Sequence, residues 1–176
     1  MRKRYVVDTN VLIAASAAMP TTPKEIDATP QDPELRLQIW EWLNEFAQSK
    51  STNLVLDTAC QILEEYYNKL GFNDYGIQVV MDKFATAAVD NVEVAYDGDG
   101  HGVLPVNLEG IIHDRADRKM VAAALEAHQI LGEGCVAFAG DTDWHGWEVS
   151  LGTHGILLEP IIEDWSRQKY AEKLAR

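Results

Sequence analysis

The sequence predicts an α/β fold, a three-layer α/β/α sandwich around a central parallel sheet of about four or five strands, on three observations. Short apolar, β-capable runs alternate with segments of helical periodicity. Each run passes within a few residues into a helix, the order that builds parallel sheets. The runs at 5–7 and 135–139 are continuously apolar, as strands covered on both faces are. The chain has 176 residues. That length suits one domain over 1–176, since domains commonly run to about 100–200 residues.

The elements follow in order. Val6-Val7-Asp8-Thr9-Asn10-Val11-Leu12 reads as a buried strand that delivers polar groups at its end and turns into a helix over 11–18. Pro20, Pro23, Pro30 and Pro33 make 19–33 a flexible or lid-like loop. Leu35, Ile39, Leu43 and Phe46 define an amphipathic helix over 34–49, with Trp40 and Trp42 packing beside its apolar face. A strand over 53–57 leads into a helix ending at Gly71, capped by Asp57 or Thr58. A further helix is expected over 73–89 and a strand over 92–95. Residues 96–102, with three glycines and two aspartates, read as a mobile surface loop in preference to a calcium site, lacking the spacing of an EF-hand. A helix opens at 114–117, with His128 packed or half exposed on its apolar face. A strand over 135–139 ends in Gly140-Asp141-Thr142-Asp143-Trp144. The last strand is expected over 153–158, broken by Pro160, with a charged helix over 161–175.

Charge excludes one easy reading. With 15 basic and 28 acidic residues the formal net charge is -13. A generic polyanion binder is basic, so any nucleic-acid role here relies on a local basic rim or on bound cations. Cys60 and Cys135 lack C-x-x-C spacing and are expected to be buried free thiols. No apolar run approaches the roughly 18 residues of a membrane helix. The expected location is the cytoplasm, with no membrane contact.

The acids carry the chemistry. Taken singly, Asp114 and Asp117 have the spacing of a helix cap and its third residue, Asp141 or Asp143 suits a turn cap, and Glu65 suits a solvated face. Asp8 is harder to place, because a carboxylate at the end of a buried strand is costly unless paired, hydrogen-bonded or coordinated. Parallel strands would set Asp8 and Asp141 on one sheet edge, where helices can add Asp117 and Glu65. Carboxylates converging without basic partners make sense around a hard cation, Mg²⁺ or Mn²⁺. The histidines and cysteines have no zinc-ligand spacing.

These motifs resemble the PIN-domain nucleases in order and spacing. The resemblance rests on Val7-Asp8-Thr9-Asn10-Val11-Leu12, Leu63-Glu64-Glu65-Tyr66, Asp114-Arg115-Ala116-Asp117-Arg118 and Gly140-Asp141-Thr142-Asp143-Trp144, and spans 5 to about 165. It implies a PIN-like domain in which Asp8, Glu65, Asp117 and Asp141 are the catalytic, metal-binding acids, supported by Asn10 and Asp143. Glu65 is preferred to Glu64 because it directly precedes Tyr66, and Asp117 to Asp114 because it leads directly into Arg118-Lys119-Met120-Val121. Ala139 stands where the family often has Thr or Ser, and the loops at 19–33 and 97–110 are longer than in compact toxin members.

The implied activity is Mg²⁺- or Mn²⁺-dependent hydrolysis of RNA phosphodiesters by an endoribonuclease, similar to the toxins of toxin–antitoxin pairs. An antitoxin-like protein partner and a homodimer are implied with it. Arg115, Arg118 and Lys119 are candidates for phosphate contact or for plain solvation; Trp144, His145 and Trp147 for base stacking or for packing. The alternative is a non-catalytic PIN-like scaffold that binds a protein partner. A phosphatase with Asp8 as nucleophile ranks last, since Asn10 stands where that chemistry wants a second acid.

Overall fold

The computed structural model describes residues 1–19 and 26–176, so the 20–25 part of the proline-rich loop lies outside the described residues. The chain runs β1 (Arg4–Val7), α1 (Thr9–Ala17), α2 (Pro33–Gln48), β2 (Asn53–Asp57), α3 (Gln61–Lys69), α4 (Tyr75–Ala85) and β3 (Val89–Val92). It continues α5 (Val106–Glu109), α6 (Arg118–Leu131), β4 (Gly134–Phe138), α7 (Trp144–Thr153), β5 (Ile156–Pro160) and α8 (Glu163–Leu174). The five strands form one all-parallel sheet in the order β3-β2-β1-β4-β5. The expected fold class holds.

Burial explains the central strands. Tyr5, Val6 and Val7 of β1 and every residue from Cys135 to Phe138 of β4 are wholly excluded from solvent. Alternate strand residues face opposite layers. Tyr5 meets α2, its ring 5.2 Å from Trp42 and 6.0 Å from Phe46, so Val6 points to the other layer. That layer holds α6, which lies in contact with all five strands. A Cβ on Gly134 would collide with the Ala124 carbonyl oxygen of α6, so glycine there sets how closely helix and sheet approach. Asp57 caps α3 as expected, accepting from the backbone N–H of Gln61 and of Ile62, both at 2.9 Å.

Several expectations are corrected. The strand expected over 92–95 lies at Val89–Val92, and α4 stops at Ala85. As an edge strand β3 tolerates polar residues, and Asp90 is held by Arg4 Nε at 2.8 Å and Asn53 Nδ2 at 3.0 Å. The final strand reaches Pro160, which an edge position permits because no ladder donor is lost. Helix α7, whose Gly146, Gly152 and Val149 disguise its periodicity, was not expected. Cys60 is exposed, at a left-handed turn (φ 62°) before α3, while Cys135 is buried as expected; both thiols are free.

The stretch after β3 is a surface hairpin, closed by Val103 N–H to the Ala95 carbonyl at 2.8 Å and by Asp97 N–H to the His101 carbonyl at 2.9 Å. It sits directly on α6, since a Cβ on Gly102 would stand 2.7 Å from Lys119 Cα. Among the described residues no helix is long and apolar enough to cross a membrane.

Candidate metal centre

Strand order reverses between β1 and β4: β2 and β3 build outward on one side, β5 on the other. The crevice beyond the carboxyl ends of strands at such a point is where open α/β sheets bind ligands. Asp8 follows β1 immediately, and Asp141 lies three residues beyond β4.

Asp8 is 5% exposed and fully engaged. One oxygen accepts from the Asn10 backbone N–H at 2.9 Å, capping α1; the other accepts from the Trp144 indole N–H at 2.9 Å. Asn10 ties the two turns together, its side-chain oxygen accepting from Gly140 N–H at 2.8 Å. A Cβ on Gly140 would stand 2.6 Å from that oxygen, so only glycine allows the clamp. Across the crevice, Asp141 accepts from Asp143 N–H at 2.9 Å, and Asp143 pairs with Lys173 of α8.

Helices α3 and α6 bring the other two acids. Tyr66 is wholly buried and donates to the Val7 carbonyl, which docks α3 against the end of β1. Its neighbour Glu65 accepts from the Thr9 hydroxyl and pairs with Lys119 Nζ at 2.6 Å, whereas Glu64 is exposed. Asp117 directly precedes α6 without capping it by its side chain, and its Oδ2 is buried with no hydrogen-bond partner. This corrects the expected capping pattern: α6 starts at Arg118, and Asp114 accepts from Ala116 N–H at 2.8 Å in the preceding turn.

Electrostatics tie the acids to one another. Burial, then the charges of Asp141 and Glu65, push the Asp8 carboxyl up to about 7 against the donors Asn10 and Trp144. Burial, then Asp8, Asp141, Asp114 and Glu65, push Asp117 up to about 9. Asp141 is raised by burial and by its acidic neighbours Asp143 and Asp114, with Lys173 opposing. Among the described residues Lys119 is the one basic side chain paired with any of these four acids.

The donor set is all oxygen, and the orphaned Asp117 oxygen together with the mutual repulsion suits a hard divalent cation. Among the described residues no three of the four carboxylates bring ligand atoms within 4.8 Å of one another. The trio of ligand atoms that lie within 4.8 Å of one another among the described residues is Asp97, Asp99 and His101, in the surface hairpin. There Asp97 accepts from the backbone N–H groups of Asp99 and His101 at 2.9 Å, which makes the trio the hairpin's own turn chemistry.

The other candidates sort by burial. Trp144, His145 and Trp147 are at most 9% exposed and pack between sheet and α8, so they offer no stacking face. Arg118 turns to Glu109, at 3.0 Å, and Arg115 faces Asp99 at 3.8 Å in solvent. Of the three, Lys119 alone is paired with one of the four acids, Glu65. Sequence reasoning missed the Trp144 bond to Asp8, the Thr9 bond to Glu65 and the Lys173 pair. The position of Thr9 beside Asp8 was the available sign; the others join residues distant in the chain. Comparison of the chain with protein-family models, with curated proteins and with solved structures found no match in any of the three.

Proposed function

We propose that this chain is a Mg²⁺- or Mn²⁺-dependent endoribonuclease of PIN type that hydrolyses RNA phosphodiester bonds, acting as the toxin of a toxin–antitoxin pair. The observation that carries the reading is that Asp8, Asp117 and Asp141, each with its carboxyl raised, follow β1, precede α6 and follow β4 at the switch point of a parallel sheet, near enough for the charge of Asp141 to raise both Asp8 and Asp117. The unpartnered Asp117 oxygen supports it. A divalent ion bound there supplies Lewis-acid polarisation of the phosphodiester and activation of water. The chain supplies orientation: Trp144 and the α1 backbone fix Asp8, Asn10 locks the β1 and β4 turns at a set spacing, and Lys173 restrains Asp143. Glu65 and Asp117 complete the ligand set from α3 and α6.

Asp8→Asn and Asp141→Asn are expected each to lower metal-dependent RNA cleavage by about 10³-fold or more. Expression of the wild-type chain is expected to arrest growth, and both variants are expected to relieve the arrest. Cleavage that persists in both variants removes the assignment. Cleavage in vitro without growth arrest makes the chain a processing nuclease instead of a toxin.

The second reading is a scaffold that binds a protein partner without catalysis. It is favoured by the formal net charge of -13 and by the Lys119 ammonium standing where a cation would neutralise Glu65. Calorimetry with Mn²⁺ on the intact fold separates the two readings, since the scaffold takes up no ion.

A further inference from the structure

Glu65 is the acid of the centre with its own counter-ion. Lys119 Nζ lies 2.6 Å from its Oε2, with only 15% of the lysine side chain and 21% of the glutamate exposed, and Thr9 satisfies the other oxygen. Asp8, Asp117 and Asp141 have no basic side chain paired with them among the described residues. The root of Lys119 is fixed, because the 96–103 hairpin abuts its backbone through Gly102. Its four-carbon stem is flexible, so the ammonium can leave Glu65 while the helix stays in place.

We infer that Lys119 is a built-in competitor for the divalent cation: its ammonium occupies Glu65 in the metal-free protein and must withdraw before Glu65 can serve as a ligand. The inference rests on the metal-centre reading and deepens it, assigning Lys119 as the residue that sets how tightly the ion is held. The physical reason is a simple exclusion. The ammonium donates to the oxygen a cation would take, and at that range repels a dication drawn in by the neighbouring acids. The withdrawn ammonium remains at the mouth of the crevice, where Arg115 and Arg118 are engaged elsewhere.

The test is Mn²⁺ titration by calorimetry on the full chain, with folding of each variant followed by circular dichroism. Lys119→Met is expected to bind Mn²⁺ about fivefold or more tightly than wild type, and Lys119→Gln likewise, while Lys119→Arg stays near wild type. Arg115→Met removes the same charge away from Glu65 and is expected to change affinity by less than about twofold. In a Glu65→Gln background Lys119→Met is expected to give no gain beyond that control, because the competed oxygen is no longer charged. Should Lys119 only brace α3 against α6, Lys119→Met lowers Tm and leaves affinity unchanged, which overturns the inference. An equal gain in both backgrounds overturns it too. Those results leave the metal-centre reading standing, whereas absence of Mn²⁺ uptake by wild type and Lys119→Met alike removes both.

Discussion

Asp117 has its carboxyl raised to about 9, with one oxygen buried and unpartnered. A carboxyl that holds its proton more tightly in the folded chain than in the unfolded one stabilises the fold at low pH, and that stability is lost as pH rises through the folded value. For Asp8 the loss runs from about pH 4 to about 7, and for Asp117 it continues to about 9. In the presence of chelator, Tm is therefore expected to fall between pH 5 and 8.5. Asp117→Asn, which cannot ionise, should be more stable than wild type by at least about 1 kcal/mol at pH 8. For a chain of this size that is roughly 2–4 °C per kcal/mol, with a smaller difference expected at pH 5. Thermal melts at the two pH values decide it; a wild-type Tm that rises with pH contradicts the repulsion argued for the centre.

Element positions explain what the sequence made legible. Strands β1 and β4, and the acids just beyond them, were readable because strand, turn and acid are contiguous: Val6-Val7-Asp8 and Phe138-Ala139-Gly140-Asp141 carry their own burial pattern. Glu65 is preferred to Glu64 for its place directly before Tyr66, by resemblance, and the structure has Glu65 partly buried and Glu64 exposed. Helix α7 was opaque, since glycines at 146 and 152 lower helix propensity, although packing is the favoured reading of its aromatics and they are buried. The Lys119 pair was opaque for another reason: it exists only once α3 and α6 dock. Docking of α6 itself turns on Gly134, where any Cβ meets the Ala124 carbonyl. Gly134→Ala is expected to cost about 2–3 kcal/mol by forcing helix and sheet apart. Since Asp117 and Lys119 stand at the start of that helix, the same variant is expected to weaken Mn²⁺ binding more than a surface glycine change such as Gly98→Ala, whose Cβ meets nothing within 4 Å. Denaturant unfolding beside calorimetry measures both. Equal stability of the two variants would show that the layers are free to shift.

At the scale of the whole molecule, charge and site pull in opposite directions. A chain of net charge -13 repels an RNA backbone, and no counter-ion release from lysines and arginines offsets this when the basic residues number 15 against 28 acids. The acidic sheet edge offers little to offset it, since Lys119 is engaged with Glu65 and Arg115 and Arg118 with Asp99 and Glu109. Under the proposed function, divalent cations are then needed for substrate binding as well as for chemistry. The expected outcome is sharp. With chelator present, single-stranded RNA shows no measurable affinity at 0.1 M salt, where the Debye length is about 10 Å and near-range repulsion still acts. Added Ca²⁺, a hard oxygen-seeking ion, should restore binding to the Asp141→Asn chain only weakly and to wild type more strongly, by about tenfold. Fluorescence anisotropy with a labelled oligonucleotide reads the difference. RNA binding that is equally tight with and without divalent ions would mean that the phosphate contacts lie away from the acidic crevice, on a basic rim that the described Arg118 and Arg115 pairings argue against.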